Sequence, residues 1–195
     1  MISPAATALI LLLQVENAGY PRSLKEYPAY KILKPPAAAA LGRWSAPRGC
    51  GVRFRVPLHW AVAIDQASAG REVCTVSVAP REEHATEDPC AQHEIDIRVL
   101  RESLADTLTA AGFTMYDGKW RYRIGSVFDG GAAEMLRGPG WTGFHGASTS
   151  HTCGAAQTVH DFVLGNSRTS VILGAHESQI AAIDAILPTI RLSAE

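Results

Sequence analysis

The sequence predicts an α+β fold: a mostly antiparallel sheet flanked by helices, arranged as an α/β/α sandwich. Three observations carry this. Two segments alternate apolar and polar residues with period two, the pattern of half-buried strands. Two others repeat apolar residues every three to four positions, the stripe of a packed helix. The strand connections read as hairpins, which favours antiparallel pairing.

The chain has 195 residues, enough for one domain with a sizeable core. Hydrophobic residues at 47% against 19% charged mark it as globular. A formal net charge of −1 lacks the basic excess of a nucleic-acid-binding protein. Residues 1–47 are expected to form an N-terminal extension and a Pro/Ala-rich connector, with a single domain over 48–195. The apolar run Ala5–Leu13 has signal-peptide length and is too short to span a membrane. No Lys or Arg precedes it, so it reads as an element packed on the body, with a degenerate export signal over 1–19 as the alternative. The compartment, cytoplasmic or periplasmic, stays open. Prolines at 21, 28, 35, 36 and 47 punctuate the connector, leaving room for a short helix at Ala37–Leu41.

From Cys50 the elements follow in order. In "CGVRFRVPLHW", Cys50, Val52, Phe54 and Val56 share one face and Arg53 and Arg55 the other. In "REVCTVSVAP", Cys74, Val76 and Val78 point inward. Ile97, Leu100, Leu104, Leu108 and Ala111 then follow helical spacing, and Gly112 sits where a C-terminal cap is wanted. "FTMYDGKWRYRIGSV" reads as a hairpin about Asp117-Gly118, a favoured two-residue turn. "DGGAAEMLRGPGW" reads as a glycine-rich loop around a short helical piece. Strands follow at about Gly143–Cys153 and Thr158–Leu164, then "TSVILGA". A helix with Ile180, Ile183 and Leu187 on its stripe closes the chain and ends at Pro188. The inward residues are expected to share one core.

"GVRFRVPLHWAVAI" resembles the opening F-x-x-P-x-x-W strand of the PsbP-like family, which includes the DcrB-like bacterial proteins. "AIDAILPTIRL" resembles that family's closing helix and tail, and the "DGKW" hairpin stands in the expected place. The resemblance runs from about Cys50 to Leu192. It implies helices on both sides of an antiparallel sheet and a non-catalytic role: a chaperone, an accessory subunit or a toxin-immunity protein. It brings no catalytic residues. The extension up to Pro47 and the cysteines depart from its pattern.

The fourteen residues "WTGFHGASTSHTCG", Trp141–Gly154, are the densest in chemistry. Ser148, Ser150, His151 and Asp161 are residue types a serine hydrolase uses. However, no G-x-S-x-G elbow is present, and neighbours on a strand face opposite ways. A zinc site is the alternative. His151 and Cys153 lie two apart on one face, and a tight hairpin at "GAA" would bring His160 diagonally across from His151. The simpler reading is a strand polar on one side, with Gly143 and Gly146 marking a bulge or the close approach of another backbone.

No cofactor motif is present, so the expected cofactor is none, or zinc on the alternative reading. Four cysteines and no C-x-x-C permit a disulfide; at most one is expected, centred on Cys153. The expected function is binding of another protein of acidic character, without nucleic acid and without a membrane span. Its surface would be a strip made of Arg53, Arg55, Arg121 and Arg123, with Trp141 as an anchor, because guanidinium groups bind carboxylates bidentately. The competing function is a small metal-dependent enzyme on His151, Cys153 and His160.

Overall fold

The computed structural model describes residues 40–65, 70–81, 94–122, 133–152 and 155–193. Its centre is a seven-stranded antiparallel sheet in the order β3-β4-β5-β11-β10-β9-β8. These strands are β3 (Trp60–Asp65), β4 (Glu72–Pro80), β5 (Ile95–Leu100), β8 (Glu134–Gly138), β9 (Trp141–Thr152), β10 (Ala155–Gly165) and β11 (Ser170–His176). A three-stranded sheet in the order β1-β2-β12 joins β1 (Leu41–Ser45), β2 (Val52–Pro57) and β12 (Arg191–Leu192). A hairpin of β6 (Phe113–Tyr116) and β7 (Lys119–Tyr122) forms the third sheet. Two seven-residue α-helices, α1 (Leu104–Ala110) and α2 (Ile180–Ile186), are the only α-helices among the described residues.

The expected α/β/α sandwich is therefore corrected to a mostly antiparallel β architecture. The central sheet does lie between two outer layers, but each layer is itself largely strand. Along β10, Phe162 and Leu164 enter one core while Val163, between them, enters another. The first core joins the central sheet to β2 and α2 through Val52, Phe54, Val56, Val76, Ile97 and Ile183. The second joins its opposite face to α1 and the hairpin through Leu104, Leu108, Phe113, Trp120, Phe144 and Ile172. The single core expected from the sequence is thus two. The helices that the PsbP-like resemblance implied on both sides of the sheet reduce, among the described residues, to one short α-helix on each.

The corrections have local causes. Ile97 and Leu100 match a helical stripe, but Ile95, Ile97 and Val99 equally match period two. All three are buried in β5, leaving the helix only Leu104–Ala110. Ser103 starts that helix, its hydroxyl accepting from the amide of Asp106 at 3.3 Å. The helical piece expected in the glycine-rich loop is the edge strand β8, whose Glu134 pairs with His145 across β9. Residues 37–39 lie outside the described residues. Leu41, expected to end a helix there, opens β1, so the end of the connector belongs to the fold.

The Asp117-Gly118 turn forms as expected, with φ of 50° and 70° at its two positions. The stretch Trp141–Thr152 is one continuous twelve-residue strand. Its glycines have separate reasons. A Cβ on Gly143 would lie 2.3 Å from the carbonyl oxygen of Val163, the close backbone approach expected there. At Gly146 the neighbour is an aromatic ring, with Tyr122 Cγ 2.3 Å from the same hypothetical Cβ.

Cys50 and Cys74 form a disulfide, with Cα atoms 5.7 Å apart. It ties the residues before β2 to β4, and both sulfurs sit in the first core. This bridge does not involve Cys153, on which the expectation centred; Cys90 and Cys153 lie outside the described residues.

Candidate functional site

Two arrangements concentrate chemistry. The first is a chain of four side chains across β8, β9, β10 and the turn after β11. Glu134 Oε2 lies 2.8 Å from His145 Nδ1, His145 Nε2 lies 2.9 Å from His160 Nδ1, and His160 Nε2 lies 2.5 Å from Glu177 Oε2. Register builds it: Glu134 is the cross-strand partner of His145, and Phe162 is the partner of His145 on the other side, which makes His160 a diagonal neighbour. The His145 ring stacks on Phe162 at 4.4 Å. Both imidazoles are buried, while the glutamates at the ends reach solvent.

Burial holds His145 below the ordinary histidine pKa, against the opposing pull of Glu134. His145 is then neutral, donating from Nδ1 to Glu134 and accepting at Nε2.

A lowered pKa means that the unfolded chain takes up a proton that folded His145 resists. The stability this contributes is full above about pH 6.5 and is lost as pH falls through the folded value. Asp161 works the opposite way. Burial raises its carboxyl, with Tyr122 and Arg98 pulling it back, so its contribution is present at low pH and lost as pH rises through the folded value. We therefore expect His145→Gln to reduce the loss of stability between pH 7 and pH 5 relative to the parent, as read from urea unfolding at both pH values. Equal losses in the two proteins would refute the assignment.

On the opposite face of β10, Asp161 accepts a hydrogen bond from the Tyr122 hydroxyl. Burial, and then the neighbouring Asp161, push the Tyr122 phenol well above its usual pKa. The pair fastens the hairpin to the central sheet over Gly146.

The second arrangement is the outer face of the β1-β2-β12 sheet. Its strands carry Arg43, Arg53, Arg55 and Arg191 and no acidic residue. Trp44 is 50% exposed, although large aromatics usually hide. The Arg53 guanidinium carbon lies 5.4 Å from the Trp44 ring centre and that of Arg191 5.9 Å. Arg53 and Arg191 are cross-strand partners, so the sheet sets like charges side by side, both within reach of one indole. Arg191 is also oriented by donating from Nη1 to the carbonyls of Pro188 and Ile190, both at 2.9 Å.

The expected site residues fare unevenly. Arg53 is exposed on this face. Arg55 is half-buried and donates to the carbonyls of Gly42 at 2.8 Å and Leu41 at 2.9 Å, where a bulge in β1 turns them toward β2. Arg121 lies on β7, across the central sheet from β2, with its guanidinium 5.1 Å from the Tyr116 ring. Arg121 therefore lies on the opposite side of the central sheet from Arg53 and Arg55; Arg123 lies outside the described residues. Trp141 is 5% exposed and donates to the carbonyl of Ile190 at 3.1 Å, which makes it a core residue.

The hairpin register does not set His160 diagonally across from His151. His151 stands opposite Ala156, whereas His160 stands opposite Ala147. The two positions are four residues apart along the ladder, about 13 Å. Cys153 lies outside the described residues. Among the described residues, no group of three His, Cys, Asp or Glu side chains converges as metal ligands would. No helix among them is long and apolar enough to cross a membrane.

The sequence reading missed Trp44, Arg191, Glu134, His145 and Glu177. Trp44 and Arg191 lie 147 residues apart in segments read as connector and tail, and only the pairing of both strands with β2 unites them. The two histidines were visible, but their contact depends on a register that the sequence does not state.

No family model matches the chain, and no curated protein matches it. Among solved structures, it is similar to a crystal structure from Bacteroides thetaiotaomicron VPI-5482 at 1.50 Å resolution. The TM-score is 0.48 at 9% sequence identity, over 79% of this chain and 49% of that one. The chain thus spans about half the length of that protein.

Proposed function

We propose that the chain is a protein-binding module that recognises an acidic segment of its partner on the outer face of the β1-β2-β12 sheet. The observation that carries this is Trp44, half exposed, with the guanidinium groups of Arg53 and Arg191 5.4 Å and 5.9 Å from its ring centre on a sheet whose strands carry no carboxylate. Trp and Arg dominate the energetics of binding surfaces, because each desolvates a large area while offering directed contacts. Among the described residues, Arg43, Arg53 and Arg191 have no ion-pair partner, so an incoming carboxylate meets donors that are still available. Arg55 serves this face indirectly by holding β1 against β2.

The patch is small and the chain as a whole carries a net charge of −1, which favours a short acidic peptide over a nucleic-acid backbone. Disulfides persist in oxidising compartments, so the Cys50–Cys74 bridge supports binding in one.

The test uses a ten-residue oligoglutamate as a model acidic segment and calorimetric titration. We expect the double substitution Arg53→Glu/Arg191→Glu to abolish binding, and Trp44→Ala to weaken it about tenfold or more. Arg121→Glu, on the other side of the central sheet, leaves it unchanged. Preference for an oligonucleotide of equal charge, or full binding by the double variant, would overturn the proposal.

A further inference from the structure

We infer that a second site, separate from the Trp44 face, binds a small organic phosphate. It is a cleft of about 710 Å³ at the end of the molecule where the three-stranded sheet meets the central one. One wall is the turn that leads into β2, Gly49–Gly51. The other is built from the end of β5 and the β10–β11 turn. The volume falls within the range of small-molecule sites, about 300–1,000 Å³, and leaves room for more than an inorganic ion.

The donors converge for a reason legible in the register. Leu100 pairs with Ser170 at the end of the antiparallel β5–β11 ladder, so Arg101, just after β5, and Arg168 and Thr169, just before β11, leave the sheet at the same end. Arg101 and Arg168 both line the cleft, together with the hydroxyl-bearing residues Ser167, Thr169 and Ser193. The β10–β11 turn is preset: the Asn166 side-chain oxygen accepts from the amides of Arg168 at 2.9 Å and Thr169 at 2.8 Å. Among the described residues no carboxylate lines the cleft, and Glu102, the acidic residue beside Arg101, is turned toward Arg71 and Thr107.

This donor set selects the ligand class. Two guanidinium forks plus hydroxyls on several sides offer more directions than a planar carboxylate can use, and they match the oxygens of a tetrahedral phosphoryl group. The Cys50–Cys74 disulfide fixes the cleft. Cys50 lies in one wall, and its partner follows Val73, which lines the other side, so the two walls are covalently joined. Such a site binds with little reorganisation.

The experiment titrates the full chain with glucose 6-phosphate, inorganic phosphate and citrate as probes, following amide shifts by NMR. We expect saturable binding of glucose 6-phosphate with shifts at residues 166–169, weaker inorganic phosphate at the same place, and weaker citrate still. Arg101→Gln and Arg168→Gln, both exposed and separately introduced, should each weaken glucose 6-phosphate at least about tenfold, the equivalent of losing one charged hydrogen-bonding partner. Trp44→Ala should bind it like the parent, so failure at this cleft is distinguishable from failure of the protein-binding face. Tighter citrate than phosphate, no saturable phosphate binding, or undiminished binding by both arginine variants would overturn the inference.

Discussion

Replacing Phe162 by alanine is expected to cost about 3–5 kcal/mol of folding stability. The side chain is 0% exposed and sits on β10, an interior strand of the central sheet. Its ring faces the first core and also stacks on His145. Truncation therefore removes apolar contacts on one side and the support of a buried imidazole on the other. Leucine retains much of the volume, so Phe162→Leu should cost distinctly less. Urea unfolding of the three proteins gives the numbers; a Phe162→Ala loss below about 1 kcal/mol would mean that the site collapses freely and the core is misassigned.

The second large effect is expected on removing the disulfide. Cys50 and Cys74 are 24 residues apart in sequence. Opening a loop of that length restores unfolded-state entropy worth about 3 kcal/mol. For a chain of this size the melting temperature should fall by roughly 6–12 °C. The better variant is Cys50→Ala/Cys74→Ala, since both positions are buried and serine would add hydroxyl groups to an apolar core. A parent protein whose melting temperature is the same with and without a reducing agent would show that the bridge carries no stability.

Most strands were legible in the sequence because burial imposes period two on one face, as in Val52-Phe54-Val56 and Cys74-Val76-Val78. The hairpin was legible because Asp-Gly fits both positive-φ positions. The fold class was not. A run such as Ile95–Leu100 satisfies both periods over six residues, and the neighbouring strands decide between them. The single core became two because alternation along β10 shows that both faces are apolar without saying what covers each.

The candidate sites were hidden for a related reason. Arg53 was visible as an outward residue, but its significance depends on Trp44 and Arg191, which reach it only through β-pairing over long sequence separations. Arg121 shows the converse. Two strands with the same alternating arginine pattern look equivalent in sequence, yet they lie on opposite sides of the central sheet. His145 and His160 pair because β9 and β10 are in one particular register; a shift of one residue would turn one of them to the other face.

The binding face itself supplies the most direct measurement. Trp44 is half exposed, whereas Trp120 and Trp141 are buried. Oligoglutamate bound against the guanidinium pair should therefore change the exposed component of the tryptophan emission. The account predicts a saturable change on titration, absent in Trp44→Phe, with an affinity that falls steeply as sodium chloride rises from 50 to 500 mM (about a threefold drop in Debye length). An emission change that persists in Trp44→Phe, or an affinity indifferent to salt, would contradict it.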